Sequence, residues 1–172
     1  MTQAASALTL CLTRYGAYHR DRRNVATHIV GIPMIVLAVE VLLSRPVWEI
    51  GAMPVTPAIL ASAAAAIFYL RLDVRFGLVM AGLLALCAWV GLALAQLSTV
   101  LWVACGLGLF VVGWIIQFIG HGFEGRKPAF MDDLKSLLVG PLFVLAEVVF
   151  LLGMRRELRD EVMGRDVGQP AH

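Results

Sequence analysis

Long apolar segments dominate this sequence and restrict the folds that it can adopt. Four of them, at residues 25–43, 58–70, 76–97 and 100–120, contain a single charged residue between them, Glu40. A helix of about 20 apolar residues can cross a bilayer, because it satisfies its backbone hydrogen bonds internally. Only 15% of all residues are charged, against about 25% in soluble domains. The sequence therefore predicts an integral membrane protein.

A fifth apolar segment, residues 137–153, is ambiguous. It contains Gly140, Pro141 and Glu147, and a proline inside a helix kinks or breaks it. The positive-inside rule assigns basic clusters to the cytoplasmic side, and these lie at 14–23, 71–75, 126–135 and 155–159. Four crossings place the first three clusters on the cytoplasmic side, as the rule requires. A fifth segment that spans the membrane would place the last cluster on the opposite side. The sequence leaves open whether this segment spans the membrane or is re-entrant.

Residues 4–18 predict a short amphipathic helix before the first crossing. Leu8, Leu12 and Tyr15 share one side at helical spacing, and Arg14 lies off that side. We expect no cleavable signal peptide, because no basic residue precedes the short apolar run.

These patterns together predict an all-α fold. It would be a polytopic membrane helix bundle with four to five apolar membrane segments and the short N-terminal helix. We expect residues 1–160 to form a single integral membrane domain and residues 161–172 to form a disordered tail.

Three histidines lie beside polar sequence at the ends of apolar runs. His19 and His28 are nine residues apart, so on one continuous helix they would face opposite ways. They can converge only if the chain breaks between them, and Asn24 is a residue type favoured at a helix N-cap. We therefore predict a new helix starting at Asn24. The third histidine, His121, shares a face with Glu124 if its helix continues, and such a pair can hold a metal or move a proton.

Acidic residues inside apolar segments are energetically unfavourable unless they are paired, and they often mark functional sites. Glu147 lies well inside its segment, whereas Glu40 lies nearer the end of its own. A hydrogen bond or ion pair between helices is the structural alternative for either. Three histidines with one or two carboxylates suit Fe, Zn or Cu, and a mixed set with open positions suits Fe(II). The candidate metal ligands are His19, His28, His121, Glu124 and Glu147.

Other residues near the histidines are candidates for binding a substrate. Arg22 and Arg126 could bind a carboxylate, and Tyr15, Asn24 and Gln117 could line a pocket. Their structural alternatives are solvated positive-inside residues, interfacial aromatic residues and ordinary helix packing. The three cysteines lie far apart without metal-ligand spacing, which indicates buried free thiols.

Several motifs together resemble the Mpo-type 2-hydroxy fatty acid dioxygenase family, from about Tyr15 to Arg156. They are Tyr15-x-x-x-His19, Asn24-x-x-x-His28-x-x-Gly31-x-Pro33, Gly113-Trp-x-x-Gln117-Phe-Ile-Gly-His121-x-x-Glu124, Pro128-Ala129 and the segment from Leu137 to Glu147 with Pro141. The resemblance implies an enzyme that uses Fe(II) and O2 to shorten long-chain 2-hydroxy fatty acids by one carbon. It also implies that His19, His28 and His121 are catalytic. Glu124 is our further catalytic candidate, and whether Glu124 or Glu147 completes the iron shell stays open.

The resemblance sets expectations for partners and location. We expect a long-chain 2-hydroxy fatty acid, O2 and the lipid bilayer as partners, and no nucleic acid. The membrane would be the inner (cytoplasmic) membrane in a bacterium and the endoplasmic reticulum in a eukaryote. A small membrane transporter is one alternative, because two Gly/Pro-broken segments each carry a glutamate. A non-enzymatic lipid-binding membrane protein is another. The physiological substrate, its chain length and the oligomeric state stay open.

Overall fold

The described part of the chain is almost entirely helical. The computed structural model describes residues 6–51 and 53–166. Its helices are α1 (Ala7–Gly16), α2 (Arg22–Leu42), α3 (Pro57–Leu72), α4 (Val74–Ala95), α5 (Thr99–Glu124), α6 (Ser136–Leu151) and α7 (Arg156–Asp166). A short antiparallel hairpin, β1 (Trp48–Ile50) and β2 (Met53–Val55), lies between α2 and α3. The prediction of an all-α membrane helix bundle is confirmed.

Three of the described helices, α2, α4 and α5, are long and apolar enough to cross a membrane. The number rises to four if α6 and α7, which are bent by 118° relative to each other, count as one broken span. Helix α3 is apolar but has only 16 residues. Helix α5 continues past the predicted end of its segment to Glu124, so His121 and Glu124 both lie on its last turns.

The chain clusters into two compact units, and the boundaries fall within α2 and α5. The first unit comprises residues 1–29 and 118–172. In it, the predicted apolar side of α1 is buried: Leu8 and Leu12 are 2% and 1% exposed. This side packs against α6 and α7. Helix α7 continues to Asp166, within the segment that we expected to be disordered, and residues 167–172 lie outside the described residues.

The second unit comprises residues 30–117. Helix α3 packs along α4, and Asp73 separates the two, because its side chain accepts a hydrogen bond from the Phe76 N–H at 2.9 Å and caps α4. The buried Glu40 accepts a hydrogen bond from the Ser62 hydroxyl at 2.7 Å. This contact between α2 and α3 is the structural role that the sequence analysis offered as the alternative for Glu40.

Candidate metal centre

The break that brings two histidines together lies between α1 and α2. Helix α1 ends at Gly16, and α2 begins at Arg22, so His19 lies in the short connection between them. The Asp21 side chain accepts the Arg23 N–H at 2.8 Å and caps α2. The prediction of the N-cap at Asn24 is therefore wrong, because Asp21 supplies the cap three residues earlier and Asn24 falls in the first turn.

Histidines from the connection, α2 and α5 converge in the first unit. The Nε2 atoms of His19 and His28 are 2.9 Å apart. The ring of His121 has its centroid 5.2 Å from that of His19 and 5.0 Å from that of His28. One ligand nitrogen from each ring lies within 4.8 Å of the other two. All three side chains are buried, so water does not screen them from one another.

The hydrogen bonds of two rings fix which nitrogen is free. His19 Nδ1 donates to the Tyr15 carbonyl oxygen at 2.8 Å, and His28 Nδ1 donates to the Asn24 carbonyl oxygen at 2.9 Å. A carbonyl oxygen cannot donate, so each Nδ1 carries the proton and each Nε2 of a neutral ring carries a lone pair. Histidines that bind metals have this arrangement, in which the second nitrogen donates to a carbonyl or carboxylate.

The remaining observations agree with a metal ion at this site. Two nitrogens that each lie about 2.0–2.1 Å from one ion can be as close as the 2.9 Å observed here. Burial lowers the pKa of His19 to about 4, so its ring is neutral at physiological pH and can bind a metal. The Nδ1 atom of His121 is buried and has no hydrogen-bond partner among the described residues. The three residues therefore fit a metal ion.

Neither candidate carboxylate belongs to the cluster of three histidines. The Glu124 carboxylate accepts hydrogen bonds from the backbone N–H groups of Arg20 and Asp21 and from the Asn24 side chain. Glu147 lies half-buried on α6 in the same unit. Metal ligation by either residue stays a prediction, and the histidines are the residues that the structure brings together.

Two of the residues predicted to bind a substrate surround the histidines. The Tyr15 ring stacks on His19 with centroids 4.3 Å apart and planes 4° from parallel. Asn24 is fully buried, and its carbonyl oxygen accepts the His28 Nδ1–H. Arg126 is exposed and donates to the Ala17 carbonyl oxygen at 3.1 Å.

The remaining two predicted substrate-binding residues are Arg22 and Gln117. Arg22 is exposed at the first position of α2. Gln117 belongs to the second unit, where its buried Nε2 atom has no hydrogen-bond partner among the described residues. A role in substrate binding stays a prediction for both.

Comparison with known proteins identifies the family. The family model described as 2-hydroxy-palmitic acid dioxygenase Mpo1-like matches residues 6–152. The chain belongs to the Mpo1-like family. It is 36% identical over 148 residues to a Saccharomyces cerevisiae protein named 2-hydroxy-palmitic acid dioxygenase MPO1, and the match covers 84% of this chain and 81% of the relative. No solved structure matches the chain. The resemblance inferred from the motifs is confirmed.

Sequence reasoning missed some residues that shape the site of this Mpo1-like chain. Phe143 packs against Tyr15 and His19, with ring centroids 4.9 Å and 5.5 Å away. The only sign of Phe143 in the sequence was its position in an apolar segment. Gly120 lets α2 approach α5, because a Cβ atom there would lie 2.0 Å from Thr27 Oγ1. Its place directly before His121 was a usable signal, since small residues mark close helix contacts in membranes.

Proposed function

We propose that the chain is an Fe(II)-dependent dioxygenase that shortens long-chain 2-hydroxy fatty acids by one carbon at the membrane. The observation that carries the proposal is the pair of Nε2 atoms 2.9 Å apart, each on a ring whose Nδ1 donates to a carbonyl oxygen. The name of the yeast relative supplies the substrate class and the type of reaction. The family match covers most of the chain, which supports assigning the same substrate class and reaction type to this protein.

His19, His28 and His121 would hold the ion. Three neutral imidazoles leave coordination positions open, which is a property of iron sites that react with O2. Fe(II) bound there would supply the electron transfer to O2 that amino-acid side chains cannot provide. The protein itself supplies neutral rings in fixed orientations and a buried site.

The proposed reaction balances without a further reductant. A 2-hydroxy acid, R–CH(OH)–COOH, and one O2 give R–COOH, CO2 and water. The bond between the first two carbons breaks, these carbons lose four electrons in total, and O2 gains them. The fatty acid that leaves is one carbon shorter than the substrate.

The chain's own side chains would position the acid. Arg22 and Arg126 are exposed cations on the first unit, and a guanidinium binds a carboxylate through paired N–H donors. Arg126 uses one N–H on the Ala17 carbonyl and keeps others for a ligand. The acyl chain of the substrate would stay in the apolar part of the bilayer, in the inner membrane of a bacterium or the endoplasmic reticulum of a eukaryote.

A product assay tests the proposal. The protein is purified in detergent without oxygen, mixed with Fe(II) and 2-hydroxypalmitic acid, exposed to air, and analysed by mass spectrometry. We expect pentadecanoic acid, and we expect none when iron is omitted or when His121 is replaced in His121→Ala.

The matched control is Ile119→Ala, which changes an exposed side chain (52%) on the same helix. It should keep the activity. Full turnover by His121→Ala would refute the assignment of this ligand. A wild-type protein that binds no iron would refute the proposed function as a whole.

A further inference from the structure

We infer that Glu124 is a positioning residue that fixes the three metal-binding segments relative to one another. In this role it does not bind the ion. The inference rests on the proposed function, because it assigns Glu124 a task at the proposed metal site. Its test includes a measurement that does not depend on metal.

Both oxygens of the Glu124 carboxylate accept hydrogen bonds from the residues between His19 and the first turn of α2. Its Oε1 accepts the Arg20 N–H at 3.0 Å, and its Oε2 accepts the same N–H at 3.1 Å. Oε2 also accepts the Asp21 N–H at 2.9 Å and the Asn24 Nδ2–H at 3.1 Å. An ion would have to compete with these bonds for the same oxygen atoms.

The bonds connect Glu124 to each segment that carries one of the three clustered histidines. Arg20 directly follows His19, and Glu124 itself lies about one turn beyond His121 on α5. Asn24 forms the third connection, because its carbonyl oxygen accepts the His28 Nδ1–H while its side chain donates to Glu124. One carboxylate therefore links the connection between α1 and α2, the first turn of α2, and the end of α5.

The position also suits the charge of Glu124. The Arg20 and Asp21 N–H groups lie just before the start of α2, where the helix dipole favours a negative charge. Hydrogen bonds from N–H groups to a carboxylate are stronger than those to a neutral oxygen. The Arg126 guanidinium also donates to the Ala17 carbonyl oxygen. This hydrogen bond is a second attachment, two residues before His19 in the sequence.

Loss of the carboxylate should weaken the metal site without changing its ligands. Replacing a residue that orients a metal-binding side chain typically lowers metal affinity by about 10–100-fold. We expect this loss in Glu124→Ala and a smaller one in Glu124→Gln, which keeps one acceptor oxygen. Glu157→Gln, which changes an exposed glutamate of α7, is the matched control and should bind like wild type.

The experiment titrates Co(II) into the metal-free, full-length protein in detergent and records visible absorption. At saturation, Glu124→Ala should bind one ion with absorption bands at the wild-type positions, because its ligands are unchanged. His121→Ala, which lacks a ligand, should show altered bands or none. Shifted bands in saturated Glu124→Ala would identify Glu124 as a ligand and overturn the inference. Wild-type affinity in Glu124→Ala would overturn it as well.

Hydrogen exchange in the metal-free protein provides the independent measurement. Amides in residues 17–24 should exchange faster in Glu124→Gln than in wild type, and Glu157→Gln should leave them unchanged. Unchanged exchange would overturn the inference. If wild type binds neither Co(II) nor Fe(II), the proposed function fails, and the exchange rates alone decide whether Glu124 holds these segments. Glu124→Gln carries both tests if Glu124→Ala does not fold.

Discussion

Replacing Gly120 with alanine should disturb the proposed metal site through packing alone. A Cβ atom at Gly120 would lie 2.0 Å from Thr27 Oγ1 and 2.6 Å from Asn24 Oδ1. The threonine can rotate its hydroxyl away, but its own Cβ would still be 3.2 Å from the new methyl group. Asn24 cannot move freely, because it is fully buried and its amide donates to Glu124. Helix α2 must therefore shift relative to the end of α5, and His28 moves with it.

The size of the effect follows from comparison with Gly122→Ala. A Cβ atom at Gly122 meets nothing within 4 Å, and both glycines lie in α5, so the gain in helix propensity is common to both variants. The difference between them is then the cost of overpacking, about 1–3 kcal/mol. Because the shift displaces His28, we also expect metal affinity to fall by about tenfold or more.

The assay combines thermal unfolding of the metal-free protein in detergent with Co(II) titration. Gly120→Ala should unfold at a lower temperature than Gly122→Ala and bind Co(II) more weakly. Adding Thr27→Ala to Gly120→Ala should recover part of the loss, because it removes the 2.0 Å contact. Equal stability and equal affinity of the two alanine variants would refute the packing argument.

Three further predictions concern Gly31, Phe143 and His19. Gly31→Ala should destabilise the protein, because the new Cβ would lie 2.9 Å from the backbone oxygen of Gly113 and 2.4 Å from the side-chain Nε2 of Gln117, whereas Gly108→Ala, with nothing within 4 Å, should not; equal melting temperatures would contradict this. Phe143→Ala should cost about 3–5 kcal/mol and weaken Co(II) binding, since this buried ring supports His19; unchanged affinity would show that the ring does not orient the ligand. Burial lowers the pKa of His19 from its ordinary 6.5 to about 4, so between these pH values the unfolded chain binds a proton that the folded, metal-free protein does not. The free energy of unfolding should therefore be highest above pH 6.5 and fall by about 3 kcal/mol in total as the pH drops to 4. Thermal unfolding across this range measures the loss, and a His19→Gln variant with the same pH dependence would contradict the assignment.

Helices α3 and α4 were predictable because their apolar segments are uninterrupted and end in polar or turn-forming residues. The predicted segment 76–97 corresponds to α4 (Val74–Ala95), and 58–70 corresponds to α3 (Pro57–Leu72). Helix ends were less predictable, because two polar residues competed to cap α2. Asp21 and Asn24 are both good N-cap residues, and nothing in the local sequence decides between them.

The surroundings of the histidines depended on contacts between distant residues. Glu124 was recognised as a neighbour of His121, but its hydrogen bonds to the Arg20 and Asp21 backbone span about a hundred residues of sequence. Periodicity within one segment carries no information about such a contact. The sequence therefore indicated which residue types belong to the site. Only the fold shows that the histidines converge, whereas Glu124 accepts hydrogen bonds from the backbone that directly follows His19.

The direction of the ring nitrogens favours the proposed metal site over a pair of structural histidines. In a structural pair, one Nε2 would carry a proton and donate to the other. Here His19 and His28 each place a proton on Nδ1, because the partner of that nitrogen is a carbonyl oxygen. A proton shared between the two Nε2 atoms would add a positive charge, and burial, which lowers the pKa of His19 to about 4, opposes that charge. Two lone pairs 2.9 Å apart repel each other unless a cation lies between them. Together with the third buried ring of His121 nearby, this arrangement supports the proposed metal site.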